Sequence, residues 1–401
     1  MQPGTLRGRF TALSLVLFVG FLLYEFVFRD FYFTPADRQR QLVHNNGMQR
    51  GFSVALVWPP HTDKSLIEGV TLAKEELDAA GGPLAGKIRL RTFVETADKG
   101  ETARRVAQYE DVLCVIGHEV VGTSIPSSIT YEEHGIVFIS PKITDQRLTH
   151  HDFKYTLRLT PDDAEVAEAL ASYAVTRGFK RVGVLYGRIL RHQMVADRFV
   201  TSAKHHGIDV PFQRSYFHDP DGRTQDLRPF IAEIRRAKFD ALMLADDLPW
   251  GGKLLKDLKL MGVDVPVLAS DKLDSMEVWD IAGTDANNLY VASAVNPDAT
   301  DVSYAAFRQR FQARFGAPPG YGASQGYEAF RLFTNAILKA NSADPIVVTT
   351  TIKMNQWEGI FGPFSFDLNG DVKGRDISIK KMDNGKFRLM SVEEQDIEKE
   401  R

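Results

Sequence analysis

From Phe52 onward the apolar residues follow two alternating periods. "FSVALV" (52–57) is a continuous apolar run of strand length, after which Leu66, Val70, Ala73 and Leu77 recur at helical spacing until Gly81-Gly82 interrupts them. "IRLRTFVE" (88–95), a helical stretch over 100–109, "VLCVIG" (112–117), a second over 125–133 and "IVFIS" (136–140) continue the alternation. Short buried strands separated by helices predict a parallel sheet covered on both faces, because each crossover lays a helix back on the sheet. The pattern restarts after "YTLRLTPDD" (155–163). Val166, Leu170, Tyr173 and Ala174 share a helix face and are followed by "RVGVLY" (181–186), a helix over 194–206 and "VPFQRSYF" (210–217). A helix over 226–236, "DALMLA" (240–245), a helix over 252–260 and "VPVLAS" (265–270) complete that unit. "LYVASA" (289–294) and helices over 304–315 and 327–340 come next. The stretch 361–390 reads as hairpins turning at Asn369-Gly370 and Asn384-Gly385. Two consecutive α/β units of similar size imply two lobes packed across a cleft.

The segment before Phe52 differs. Phe10 to Phe28 is apolar apart from Thr11, Ser14, Tyr24 and Glu25, and as a helix it is long enough to cross most of a ~30 Å hydrocarbon layer. Arg7 and Arg9 precede it, and Glu25 and Asp30 flank its far end, which places the N-terminus in the cytoplasm and the body outside. No small-x-small cleavage site follows, so the expectation is an uncleaved single-pass anchor over 10–33, with a cytoplasmic stub at 1–9. Phe31, Tyr32 and Phe33 then serve as interfacial aromatics. Residues 34–51 are polar without a sustained period and read as a tether, and 391–401 as a charged tail.

A chain of 401 residues exceeds one ordinary core, consistent with two lobes. The 44% hydrophobic and 25% charged composition is that of a globular protein folding in water. A formal net charge of −3 leaves no basic excess for a run of phosphates, so no nucleic-acid partner is expected. The single cysteine, Cys114, lies inside an apolar run and can close no internal disulfide. Catalytic and cofactor motifs are lacking. "GGPLAGK" (81–87) is followed by Ile88 and runs from helix into strand, the wrong order for a phosphate loop. His150-His151 and His205-His206 point different ways as adjacent pairs, and His118-Glu119 has no second histidine at zinc-motif spacing. "DLNGD" (367–371) lacks the later acidic ligand of a calcium loop. With no metal, cofactor or nucleophile pattern, a binding protein is expected rather than an enzyme.

In doubly wound sheets, ligands bind beyond the carboxyl ends of the parallel strands, where loops and helix N-termini converge. Here those ends are Trp58-Pro59-Pro60-His61, "GHEVVGTS" (117–124), "SPKIT" (140–144), "GRILR" (187–191), "ADDLPW" (245–250) and "SDKLD" (270–274). Blocks such as "GVTLAKEELDAAGG" (69–82), "YEEHGIVFISPKITDQRLT" (131–149), "KRVGVLYG" (180–187) and "GYEAFRLFTNAI" (326–337) make the chain resemble the type I periplasmic solute-binding proteins of the leucine/isoleucine/valine group over about 52–390. The resemblance implies an α/β fold of two doubly wound parallel-sheet lobes joined by three crossovers, placed near Leu159-Thr160, Ala292-Ser293 and Thr349–Lys353. Lobe 1 is then 52–159 plus 293–350, and lobe 2 is 160–292 plus 351–390. It further implies capture of a small polar ligand by cleft closure, with an ABC-transporter permease or another inner-membrane protein as partner. Transferred position by position, the ligand shell falls on Gly122, Ser140, Lys142, Thr144, Arg191, Asp247, Asp271 and Tyr327. Of these Thr144, Asp271 and Tyr327 keep the family's residue type, whereas Lys142, Arg191 and Asp247 put charges where the amino-acid binders have neutral groups. Lys142 and Arg191 must then meet an anionic guest, pair with Asp247 or Asp271, or point to solvent; the altered shell also favours a second reading, a scaffold or regulatory subunit of an envelope complex whose ligand site is lost.

Overall fold

The computed structural model describes residues 35–60, 64–217, 234, 236–294 and 302–390. The expected anchor over 10–33 and the tail over 391–401 lie outside them, and no helix of the described residues is long and apolar enough to cross a membrane.

Lobe 1 is built on β1 (Phe52–Trp58), β2 (Ile88–Val94), β3 (Val112–Gly117), β4 (Val137–Ser140) and β5 (Thr156–Arg158). All are parallel, in the order β2-β1-β3-β4-β5. β1 is buried along its whole length, and its alternate residues feed two cores. Phe52, Val54, Leu56 and Trp58 face one core, which includes Leu66 and Phe330; Ala55 and Val57 face another with Phe93, Val115 and Phe138. This period of two, with both faces covered, is why the strand reads as an unbroken apolar run. Helix α2 (Ser65–Ala80) lies beside the long helix α10 (Tyr321–Ala340). α3 (Glu101–Ala107) and α4 (Val121–Glu133) cover the other face.

Lobe 2 contains β6 (Val182–Gly187), β7 (Gln213–Tyr216), β8 (Ala241–Ala245), β9 (Val267–Ala269), β10 (Leu289–Ser293), β14 (Ser378–Asp383) and β15 (Lys386–Leu389) in the order β15-β14-β10-β9-β8-β6-β7. The pairings from β10 to β7 are parallel, and the β14–β15 hairpin adds an antiparallel edge. Asn384 and Gly385 carry φ of 48° and 80° at its turn, the left-handed values that a two-residue hairpin requires and that Asn-Gly supplies. Helices α5 (Asp163–Thr176), α6 (Leu190–His205), α7 (Trp250–Leu260) and α8 (Glu277–Ala282) cover this sheet.

The chain crosses between lobes three times, and one crossing departs from the expected position. The first lies between the end of β5 at Arg158 and the start of α5 at Asp163, and the second leaves β10 after Ser293. The third does not fall at Thr349–Lys353. That segment belongs to α11 (Pro345–Lys353), whose Val348 and Ile352 are fully buried in lobe 1. β11 (Trp357–Gly359), β12 (Gly362–Phe366) and β13 (Val372–Lys373) form a small sheet whose Trp357, Phe364 and Phe366 join the same core. Burial of these aromatics holds the chain on lobe 1 until the stretch between Lys373 and Ser378. Residues 351–373 therefore belong to lobe 1, and 378–390 to lobe 2.

The polar stretch expected as a tether is also ordered, as helix α1 (Pro35–Arg50). It is seated by Arg40, which is 1% exposed and donates to the carbonyls of Ala107 (2.6 Å), His134 (3.3 Å) and Tyr109 (3.3 Å). Gly47 packs against Ala343, Leu113 and Phe52, too close for a larger side chain without movement. Such clamps are invisible to periodicity, because one buried guanidinium satisfying several carbonyls replaces an apolar stripe.

Beside the first and third crossovers, Arg158 is fully buried. Nη1 donates to the carbonyls of Thr144 (3.1 Å) and Asp145 (2.7 Å), and Nη2 to Thr149 Oγ1 (3.0 Å) and Asp371 Oδ1 (2.6 Å). His150, Asp162 and Asp371 bring ligand atoms within 4.8 Å of one another. The Arg158 guanidinium, also 3.8 Å from Asp162, already supplies the cation there.

Candidate functional site

The carboxyl ends of β3 and β4 in lobe 1 face those of β6, β8 and β9 in lobe 2 across a cavity of about 350 Å³. Lobe 1 contributes Glu119, Val120, Val121, Gly122, Lys142 and Ile143; lobe 2 contributes Arg191, Asp247 and Lys272.

The lobe 1 wall is stapled from beneath by one carboxylate. Glu95, the residue after β2, accepts from the His118 ring (Nδ1, 2.9 Å), the Glu119 amide (3.0 Å) and the Thr123 hydroxyl, while its own amide donates to the Trp58 carbonyl (3.0 Å). His118 is fully buried, has φ of 60°, and meets the Tyr131 hydroxyl with its other nitrogen at 2.9 Å. Burial works against the charge of Glu95, but His118, Thr123 and the Glu119 amide overcome it and hold its carboxyl below the usual range. The ends of β1, β2 and β3 and the first turn of α4 are thus fixed together. Glu119 and the N-terminal turn of α4, which has no side-chain cap, are presented to the cavity.

The charges in the cavity pair within their own lobes. Lys142 Nζ donates to Glu119 Oε1 and lies 5.7 Å over the Trp58 ring. Across the gap, Arg191 Nη2 donates to Asp247 Oδ1, His192 Nε2 lies 3.1 Å from Asp247 Oδ2, and Lys272 Nζ lies 3.1 Å from Asp271 Oδ2. Burial opposes the charge on Asp247, yet His192 and Arg191 hold its carboxyl well below the usual range. Arg191 is in turn held protonated despite burial, chiefly by Asp247. Behind them, Asp246 accepts from the Tyr216 hydroxyl at 2.5 Å. Asp163, at the start of α5, behaves oppositely: burial pushes its carboxyl up, against the Thr144 hydroxyl and Lys272, which hold it down. Among the described residues, two carboxylate oxygens, Glu119 Oε2 in lobe 1 and Asp271 Oδ1 in lobe 2, are buried with no hydrogen-bond partner, as is Ser140 Oγ. A buried carboxylate oxygen left unpaired is costly, so these atoms keep unused hydrogen-bonding capacity among the described residues.

Of the eight positions read from the sequence, Gly122, Lys142, Arg191 and Asp247 line the cavity. Asp271 stands beside it through Lys272, and Thr144 beside Asp163. Ser140 is fully buried at the end of β4. Tyr327 is turned elsewhere. It packs with Phe307 in the lobe 1 core, its hydroxyl donates to Glu76 Oε2 (2.5 Å), and it lines a different cavity within that lobe. Of the strand-end residues, Glu119 lines the cavity and Trp58 underlies Lys142. Trp250 opens α7 against Lys253, and His61 lies outside the described residues. Lys272, Asp163 and His192 were not singled out. The available signal was position: Lys272 lies within the strand-end stretch 270–274, His192 directly follows 187–191, and Asp163 closes the stretch 155–163 where the pattern restarts.

The sequence model of the periplasmic binding protein family matches residues 60–386. A leucine-, isoleucine-, valine-, threonine- and alanine-binding protein of Pseudomonas aeruginosa is 24% identical over 315 residues, covering 78% of this chain and 83% of that one. The Leu/Ile/Val-binding protein of Escherichia coli K12 is 21% identical over 315 residues, covering 78% and 84%. Among solved structures, an ABC transporter substrate-binding protein of Desulfitobacterium hafniense, determined in complex with Leu, superposes with a TM-score of 0.76 at 28% identity, covering 85% of this chain and all of that one.

Proposed function

The chain belongs to the periplasmic binding protein family, and from that premise we propose that it is an extracytoplasmic solute-binding protein that captures a small polar ligand, an amino acid or related organic anion, by closure of its two lobes. The observation that carries this reading is the interlobe cavity of about 350 Å³, walled by charged groups from both lobes. Its volume suits a small metabolite. A ligand touching Lys142 and Gly122 on one side and Arg191 and Lys272 on the other is held better in the closed form than in the open one, and that difference alone drives closure. Asp271 Oδ1 and Glu119 Oε2 receive the ligand's N–H groups, and Arg191, Lys142 and the open first turn of α4 receive its carboxylate. Delivery to an ABC-transporter permease follows from the same reading, with the apolar run Phe10–Phe28 as the membrane anchor.

Thermal unfolding of the purified protein against amino acids, organic acids, amides and short peptides tests this. A ligand present at 100 times its dissociation constant adds about 2.7 kcal/mol to stability, and Asp271→Ala and Thr144→Ala are expected to abolish the shift. The second reading, a scaffold or regulatory subunit of an envelope complex, is favoured by one observation: each cavity cation already has a carboxylate of its own lobe as partner. Absence of any ligand response together with stable copurification of a membrane protein selects it.

A further inference from the structure

A second cavity, of about 410 Å³, lies in lobe 1 between α9 (Val302–Phe315), α10 and the β11–β12 hairpin. It contains no lobe 2 residue. One wall is apolar, formed by Leu332, Trp357, Ile360 and Phe364. The other carries Tyr327 between two guanidinium groups, with Arg310 Nη2 and Arg331 Nη1 each 3.1 Å from the Tyr327 oxygen. The two arginines are not equivalent. Arg310 Nε is engaged by Glu76 Oε1 at 2.7 Å, whereas Arg331 is exposed and has no carboxylate partner among the described residues.

The floor is built rather than accidental. Glu328 is buried, with Oε1 accepting from the Ile360 amide (2.7 Å) and Oε2 from Arg375 Nη2 (2.7 Å). A Cβ on Gly359 would stand 2.1 Å from Glu328 Oε1, so the absence of a side chain there is what admits the pair. Arg375 lies 4.1 Å over the Phe364 ring, and its Nη1 is buried without a partner among the described residues. Glu328 is therefore neutralised in place; Ser303, Asn335 and the exposed Glu358 are the other polar groups of the lining, and Arg331 is its cation without a carboxylate partner among the described residues.

We propose that this cavity is a second small-molecule site, confined to lobe 1, that takes a small monocarboxylate with an apolar body. The carboxylate pairs with Arg331 beside the Tyr327–Arg310 pair, and the hydrocarbon lies against Leu332, Ile360, Trp357 and Phe364. A guanidinium binds a carboxylate through two parallel N–H donors, which a neutral amide cannot match. The site is independent of the interlobe reading, because it shares no residue with that cavity.

The test is isothermal titration of the full chain with hexanoate and benzoate, and with their amides hexanamide and benzamide. The expected result is saturable binding of at least one carboxylate, with its amide weaker by about tenfold or more, the worth of a charged hydrogen-bond pair. Arg331→Gln, at an exposed position, is expected to weaken binding by a similar factor, and Ala306→Phe to block the cavity. Asp271→Ala in the interlobe cleft is expected to leave the affinity within about twofold, since sites without shared partners behave additively. No saturable binding of either carboxylate overturns the proposal. So does binding that survives both lobe 1 substitutions, or binding that is lost with Asp271→Ala, whatever the cleft itself then proves to hold.

Discussion

Replacing Arg158 with methionine is expected to destabilise the fold by about 3–5 kcal/mol, the usual consequence of removing one partner from a buried ion pair. The magnitude follows from what is orphaned. Arg158 is fully buried and makes four hydrogen bonds, to the carbonyls of Thr144 and Asp145, the Thr149 hydroxyl and Asp371. Without it, Asp371 keeps only the Thr149 hydroxyl (2.6 Å), His150 (3.2 Å) and its backbone contacts, and two carbonyls lose a guanidinium donor. The double substitution Arg158→Met with Asp371→Leu removes both charges, so its cost is expected to fall short of the sum of the singles by about 1–3 kcal/mol. Urea unfolding of the four proteins measures this, as a fall in midpoint at constant slope. Burial alone would push the Asp371 carboxyl up, but Arg158 and Thr149 hold it below the usual range. Its contribution to stability is therefore fully present above the unfolded value of about 3.9, and is lost as pH falls through the lower folded value. That acid-side loss is expected to shrink in Arg158→Met. A single-mutant cost below about 1 kcal/mol, or strict additivity in the double, refutes the view that this pair secures the strands feeding the first and third crossovers.

Two further outcomes follow from the structure. Glu95→Gln is expected to cost about 1–3 kcal/mol. Because the Glu95 carboxyl is held low in the fold, its stabilisation is present above the unfolded value of about 4.3 and lost on acidification; a stability-versus-pH curve for the variant should be flatter on the acid side, and an unchanged curve would count against the staple. Gly69→Ala places a Cβ 1.9 Å from the Ala323 carbonyl oxygen, where α2 and α10 touch through their backbones. Overpacking of this kind costs about 1–3 kcal/mol or more, and a melting temperature equal to that of the parent would show that the two helices are not in contact.

The cleft was partly legible in advance for a topological reason. Doubly wound sheets put their ligand loops at strand carboxyl ends, so finding the strands finds the loops; the family resemblance then picked out Gly122, Lys142, Arg191 and Asp247 within them, and these four line the interlobe cavity. What such reasoning lacks is direction within a loop or helix. Tyr327 keeps the expected residue type, yet its ring points into a separate lobe 1 cavity. Lys142 and Arg191 were legible as charges needing a partner, with Asp247 and Asp271 among the candidates; geometry gives Asp247 to Arg191 and the unforeseen Glu119 to Lys142.

The sequence by itself determined the alternation of strands and helices, the division into two α/β lobes, the hairpin at Asn384-Gly385 and the lack of an enzyme's motifs. These rest on local regularities: a side-chain period of two in strands, 3.6 residues per turn in helices, and the left-handed turns that Asn and Gly tolerate. Only the tertiary structure decided that α1 is clamped to lobe 1 by Arg40, that the third crossover waits until after Lys373, and that the cavity charges pair as they do. Each depends on groups distant in the chain, such as Arg40 with Ala107 or Arg191 with Asp247, separated by 67 and 56 residues. A buried charge needs a partner wherever the fold brings one within hydrogen-bond reach, and nothing in the local period states which partner that is.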